Sequence, residues 1–93
     1  MTFTPPIAEQ RFVLETVAGI AELSGHPAFA EATPDMVDAI LEGAAAFAAG
    51  EWAPLNRVGD TSPPRWADGR VTMPPGFRDA YRAYVDGGWG SIN

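Results

Sequence analysis

The 93 residues contain no cysteine and no lysine, a single histidine, and only four leucines and four isoleucines. The lack of cysteine excludes a disulfide scaffold, thiol catalysis and thiolate metal sites, and it fits a reducing compartment, so the cytoplasm is the expected location. All six basic residues are arginines, set against twelve Asp and Glu, for a formal charge of −6. Binding a phosphate backbone needs clustered cations, so no nucleic-acid partner is expected. No run approaches the ~18 apolar residues of a membrane span. Met1-Thr2-Phe3-Thr4 also lacks the basic start of a signal peptide, so no membrane partner is expected either.

What the chain does have is alanine, sixteen of them within a 46% hydrophobic share. Alanine favours helix but buries little surface, and a chain this short buries only roughly 60–65% of what it exposes unfolded. One domain over residues 1–93 is the expectation. Its fold class is all-α: a small bundle of three main helices with a long Pro-rich loop holding a short β-hairpin.

The first helix is predicted over about 6–18. Thr4 stands at the cap, Pro5-Pro6 follow where a missing N–H costs nothing, and Ile7, Leu14, Val17 and Ala21 recur at helical spacing. Phe12 lies on the far side of that stripe and calls for a second packing partner. Gly19 breaks the helix, Ile20–Leu23 make a short turn, and Ser24-Gly25-His26-Pro27 is loop chemistry. The second helix is predicted over about 34–52, with Thr33 as cap, Pro34 inside the first turn and Asp35 at the positive end of the dipole. Met36, Val37, Ile40, Leu41, Ala44, Phe47 and Ala48 form its apolar face, with Asp38 and Glu42 pointing away. Pro54 is taken as its end. The five prolines between 54 and 75 exclude a helix there. A connection that long should hold structure of its own, and Asp68-Gly69 is a type I′ hairpin signal between Arg65-Trp66-Ala67 and Arg70-Val71-Thr72. The third helix is predicted over about 76–86. Its stripe is Phe77, Ala80, Tyr81, Tyr84 and Val85, its wet face pairs Arg82 with Asp79 and Asp86, and Gly87-Gly88 stop it.

No catalytic or metal-binding constellation emerges. His26 beside Ser24 has no acid placed to orient it and no nucleophile elbow, so it reads as a loop histidine. Asp35, Asp38 and Glu42 share a helix face, but hard cations need convergent loop oxygens, so they read as a solvated acidic face. Gly87-Gly88-Trp89-Gly90 neither follows a strand nor opens a helix, and fails as a phosphate cradle. Arg57, Arg65 and Arg70 are candidate anion contacts, weighed against ordinary solvated arginines. Phe12, Trp52 and Trp89 are the candidate interface anchors, and a homo-oligomer burying them is expected.

The segment Ala53-Pro54-Leu55-Asn56-Arg57-Val58-Gly59-Asp60 resembles the APLN..GD stretch of long bacterial acyl-CoA dehydrogenases. Asp68-Gly69, Val71, Pro74, Gly76-Phe77, Ala80-Tyr81 and Gly88-Trp89 follow in the family's order. Arg11-Phe12-Val13-Leu14 and Ala32-Thr33-Pro34-Asp35 precede it. The subgroup it most resembles is the one that includes 3-methylmercaptopropionyl-CoA dehydrogenase, and the resemblance covers essentially the whole chain. Thr61-Ser62-Pro63-Pro64 departs from the family's polar, Gly-containing sequence. The resemblance implies a flavoenzyme several times longer, with an N-terminal helical domain, a middle β-domain that holds much of the FAD, and a C-terminal helical bundle. There a glutamate takes the α-proton of an acyl-CoA while the flavin takes the β-hydride. That glutamate and most FAD contacts have no counterpart here. The chain is therefore expected to be an N-terminal domain that is inactive alone, with no cofactor of its own and the parent's remaining domains as partners. The alternative is a free-standing helical interaction module without enzyme activity.

Overall fold

A computed structural model describes residues 2–92, so Met1 and Asn93 lie outside the described residues. The chain is mostly helical with one two-stranded antiparallel ribbon. It divides into two compact units, Met1–Ala49 (unit 1) and Gly50–Asn93 (unit 2).

Unit 1 opens with helix α1, Ile7–Phe12, which runs into a π-turn at Val13–Val17. Thr4 does not cap it. Pro6 stands at the cap position, and the Pro5 and Pro6 carbonyls accept from the Ile7 and Gln10 N–H groups at 2.9 and 3.1 Å. Two successive prolines leave the backbone little freedom to bring a hydroxyl back over the first turn. Gly19 breaks the helix at φ +65°, a left-handed conformation glycine adopts without strain, and the short α2, Ile20–Leu23, follows. A 3₁₀ turn at Pro27–Phe29 leads to α3, Pro34–Phe47, where the Thr33 hydroxyl accepts from the Met36 N–H at 3.3 Å. Leu14, Ile20, Val37, Leu41 and Phe47 are half-buried, whereas Met36 and Ile40, expected on the apolar face, are exposed.

Asp38, expected to point away, is held by Arg11. The Arg11 Nε–H donates to Asp38 Oδ1 at 2.6 Å and ties α1 to α3. That hydrogen bond, then the carboxylate's charge, raises the guanidinium above its ordinary pKa, with Glu42 and Glu15 adding to the effect.

The largest correction concerns residues 53–61. The chain does not leave the helix at Pro54. A π-turn at Ala48–Trp52 follows α3, and a new helix, α4, runs over Ala53–Thr61 with Pro54 in its first turn. A proline inside an α-helix loses one hydrogen bond and strikes the carbonyl four residues back. The wider π-turn puts Pro54 at a helix start, where its missing N–H is one of the unpaired donors anyway. The Pro-rich connection is thus shortened to residues 62–76.

That connection holds the expected hairpin. Strands β1, Arg65–Ala67, and β2, Arg70–Thr72, pair antiparallel with Trp66 opposite Val71, and Asp68 (φ +52°) and Gly69 (φ +76°) make the turn. Two positive φ values in succession are what a type I′ turn requires. Helix α5, Phe77–Asp86, is preceded by Gly76 at φ +88° and stopped after Gly87 by left-handed Gly88, and a 3₁₀ turn spans Trp89–Ser91. Its inward side is narrower than the predicted stripe. Ala80 is 4% exposed and Phe77 and Tyr84 are half-buried, but Tyr81 and Val85 face solvent. The expected pairs of Arg82 with Asp79 and Asp86 do not form: among the described residues the ion pair is Arg11–Asp38. Held only by exposed side chains, such pairs gain little over hydration.

Candidate functional site

The two motif blocks at 53–60 and 74–81 meet in unit 2. Two glycines allow it. A Cβ on Gly59 would lie 3.0 Å from the Phe77 ring, and one on Gly76 would lie 2.8 Å from Leu55 Cδ2. α4 and the start of α5 therefore approach each other at glycine, and Ala80 on α5 is buried. Their outer rims enclose an open groove of about 640 Å³, lined by Trp52, Leu55, Asn56, Phe77 and Tyr81, with Asp60 at its polar edge. Trp52 and Tyr81 flank Tyr84, at ring-centroid distances of 5.3 and 6.3 Å. A second groove of about 640 Å³ opens between β2 and α5, lined by Val71, Met73, Pro74, Phe77, Arg78 and Tyr81. Phe77 and Tyr81 belong to both.

Chemically these grooves are apolar and aromatic with sparse polar groups. Asp60, Asn56 and the Tyr81 phenol supply no nucleophile-and-base pair.

The residues singled out from the sequence are distributed as follows. Ser24 donates its hydroxyl hydrogen to the Ala21 carbonyl at 2.9 Å, within its own turn and not towards His26. Among the described residues no group of three or more Asp, Glu or His is placed to hold a metal ion. Arg65 and Arg70 fall on one face of the hairpin, diagonal across the ladder, while Trp66 and Val71 take the other. Arg57 lies on α4, exposed, its carbonyl accepting from the Thr61 hydroxyl at 2.9 Å. Phe12 is exposed in unit 1, Trp52 borders the first groove, and Trp89 is half-buried. Tyr81 and Met73 were not singled out. The signal available for Tyr81 was the width of the α5 stripe, which spans more of the helix than one neighbour can cover.

No family model matches the chain. Its whole length is 32% identical to 3-methylmercaptopropionyl-CoA dehydrogenase of Ruegeria pomeroyi. The chain resembles an acyl-CoA dehydrogenase. It spans 16% of that relative's length, consistent with an N-terminal fragment of such an enzyme. The similarity bears out the resemblance carried by Ala53–Asp60 and the residues after it.

The glycine run at 87–90 is not shaped to hold a flavin pyrophosphate. It is closed on itself: the Trp89 indole lies 2.9 Å from where a Cβ on Gly87 would stand, and the Ser91 hydroxyl donates to the Gly88 carbonyl at 2.7 Å. With that space filled by an indole, a pyrophosphate has no backbone cradle there.

Proposed function

We propose that this chain is the N-terminal helical domain of a cytoplasmic, FAD-dependent acyl-CoA dehydrogenase and is not catalytic by itself. Its part is to pack against the enzyme's remaining domains and cover its active region. The α,β-dehydrogenation of the acyl-CoA thioester and the FAD belong to residues outside these 93. The observation that carries this reading is identity across the full chain to a protein of which the chain spans only 16%. The grooves between α4, α5 and the hairpin agree with it, because motif residues build an apolar surface and no acid–base pair.

The test is the coding sequence beyond Asn93 together with a flavin titration of the 93-residue chain. The expected result is an open frame running into a Gly-rich β-domain, and no stoichiometric FAD on the short chain. A stop codon directly after Asn93 would replace this reading with that of a free-standing interaction module. Yellow flavin co-purifying with the 93-mer would overturn the assignment of FAD to other domains.

A further inference from the structure

We propose that the polar face of the hairpin in unit 2, built by Arg65, Arg70 and Thr72, is a binding site for a phosphate group. The ladder sets this face. Arg65 pairs with Thr72 and Ala67 with Arg70, so these residues share one side of the ribbon, and Trp66 and Val71 take the other. The two arginines stand diagonally across the ribbon, ~7–8 Å apart at the backbone, a separation over which two long side chains reach one ligand. Ala67, opposite Arg70, adds no bulk between them. Neither guanidinium is engaged. Arg65, Arg70 and the Thr72 hydroxyl have no side-chain hydrogen bond or ion pair among the described residues, and Asp68 in the turn pairs with neither arginine. All of these side chains are exposed. Their placement is set in advance, because two successive positive φ values hold the turn and Pro74, just beyond β2, is buried.

The number of donors selects the anion. Two cations on one face of a bare ribbon repel each other, where an opposite charge across the ladder would have supported the pairing. An oxyanion between them replaces that repulsion with charge-assisted hydrogen bonds. A carboxylate has one charge and two oxygens, which a single guanidinium fork already matches. Two forks and a hydroxyl match a phosphate group, with a charge of about −1.5 to −2 at neutral pH and three acceptor oxygens. The acidity of the chain does not oppose this. Unit 1, with seven acids and one arginine, holds the whole excess of negative charge, whereas unit 2 has five arginines and five acids. The chemistry is the same for a free phosphate ion and for a phosphomonoester on a larger molecule, and the test separates the two. The apolar grooves take no part in this site, so the proposal rests neither on what covers them nor on the dehydrogenase reading.

The test is titration of the 93-residue chain with inorganic phosphate, adenosine monophosphate and acetate through the millimolar range at constant ionic strength. It is followed by the NMR signals of the Arg65 and Arg70 Nε–H groups. Phosphate and adenosine monophosphate are expected to shift both signals together, and acetate to bind more weakly than either. A tighter constant for the nucleotide assigns the site to a phosphate carried on a larger molecule, and one no tighter assigns it to the free ion. Arg65→Gln and Arg70→Gln are each expected to raise the dissociation constant about 5-fold or more, the effect of losing a charged hydrogen-bond donor. Thr72→Val raises it by a smaller factor, and so does Arg70→Lys, which keeps the charge but not the fork. Arg82→Gln removes the same charge from α5 and leaves the constant unchanged. The replaced ribbon side chains are exposed, and a persisting cross-strand contact between Trp66 and Val71 shows that each variant keeps the hairpin. No shift of either signal by phosphate or the nucleotide overturns the proposal. So does acetate binding as tightly as phosphate, which would make the face a partner for carboxylates of another protein segment. A loss on Arg82→Gln equal to that on Arg70→Gln also overturns it, since net charge alone would then explain the binding. The coding-frame and flavin tests can fail without touching these outcomes.

Discussion

Unit 1 and unit 2 have nearly equal lengths and almost opposite chemistries. Unit 1 has seven acids, one arginine and twelve of the sixteen alanines, while unit 2 has the other five arginines and every tryptophan and tyrosine. Their means of holding together differ accordingly. Unit 1 relies on good helix formers, a capped α3 and a guanidinium set among carboxylates. Unit 2 relies on close approach at Gly59 and Gly76, with Ala80 buried on α5. A chain with few leucines and isoleucines can build tertiary structure either way. The second way sets each glycine against one large side chain, Phe77 or Leu55, and leaves other large aromatics such as Trp66 and Tyr81 exposed.

Four substitutions test that contrast, the largest effect first. Ala80→Asp places a charge at a buried position, 4% exposed, and is expected to cost about 3 kcal/mol or more. All three tryptophans lie in unit 2, so their emission should shift to the red while amide exchange in α3 stays slow. Equal loss of protection in α3 would break the division into two units. Gly76→Val sets a β-branched residue at φ +88° and 2.8 Å from Leu55, for an expected cost of about 2 kcal/mol read by the same emission. An unchanged melting curve would mean the helix contact does not depend on glycine. In unit 1, Thr33→Ala removes the cap of α3, and about 1 kcal/mol should be lost. Amide exchange in the first turn should quicken with no change in tryptophan emission. The smallest expected effect is Arg11→Gln, below that of the cap, because both partners are solvent-accessible. Salt near 1 M, where screening acts within ~3 Å, should erase the difference between variant and wild type. The raised guanidinium pKa gives a stabilising share that is complete below arginine's ordinary value and lost only as pH rises past it. Titration of Arg11 therefore adds no slope between about pH 6 and 9.

Much of this fold was legible where local chemistry decides it. Asp68-Gly69 fixed the hairpin to the residue because few pairs tolerate two positive φ values in succession, and Thr33-Pro34 fixed the start of α3 because capping is local. Helix α4 was missed because Pro54 stops a helix in one register and begins one in another, and the intervening π-turn has no sequence signature. Asp38 looked like a solvent-facing acid because the guanidinium that holds it is 27 residues away. For the site, the motif residues at 53–60 and 74–81 were visible as motifs. Their meeting in one groove follows from Gly59 and Gly76, whose close approach becomes apparent only when α4 and α5 are both placed.

The hairpin has a consequence for chain entropy. Residues 62–76 join α4 to α5, and an unstructured connection of that length would have to give up its freedom whenever the two helices meet. Pairing Arg65 with Thr72 brings the strand ends together, so the loop the helices must close is effectively only the few residues on either side of the ribbon. Loop-closure cost changes by only about 0.6 kcal/mol per doubling of length, so the saving in stability is small. The larger gain is in time. A ribbon of this size forms in ~1–10 μs, which lets α4 and α5 search for each other as near neighbours in the chain.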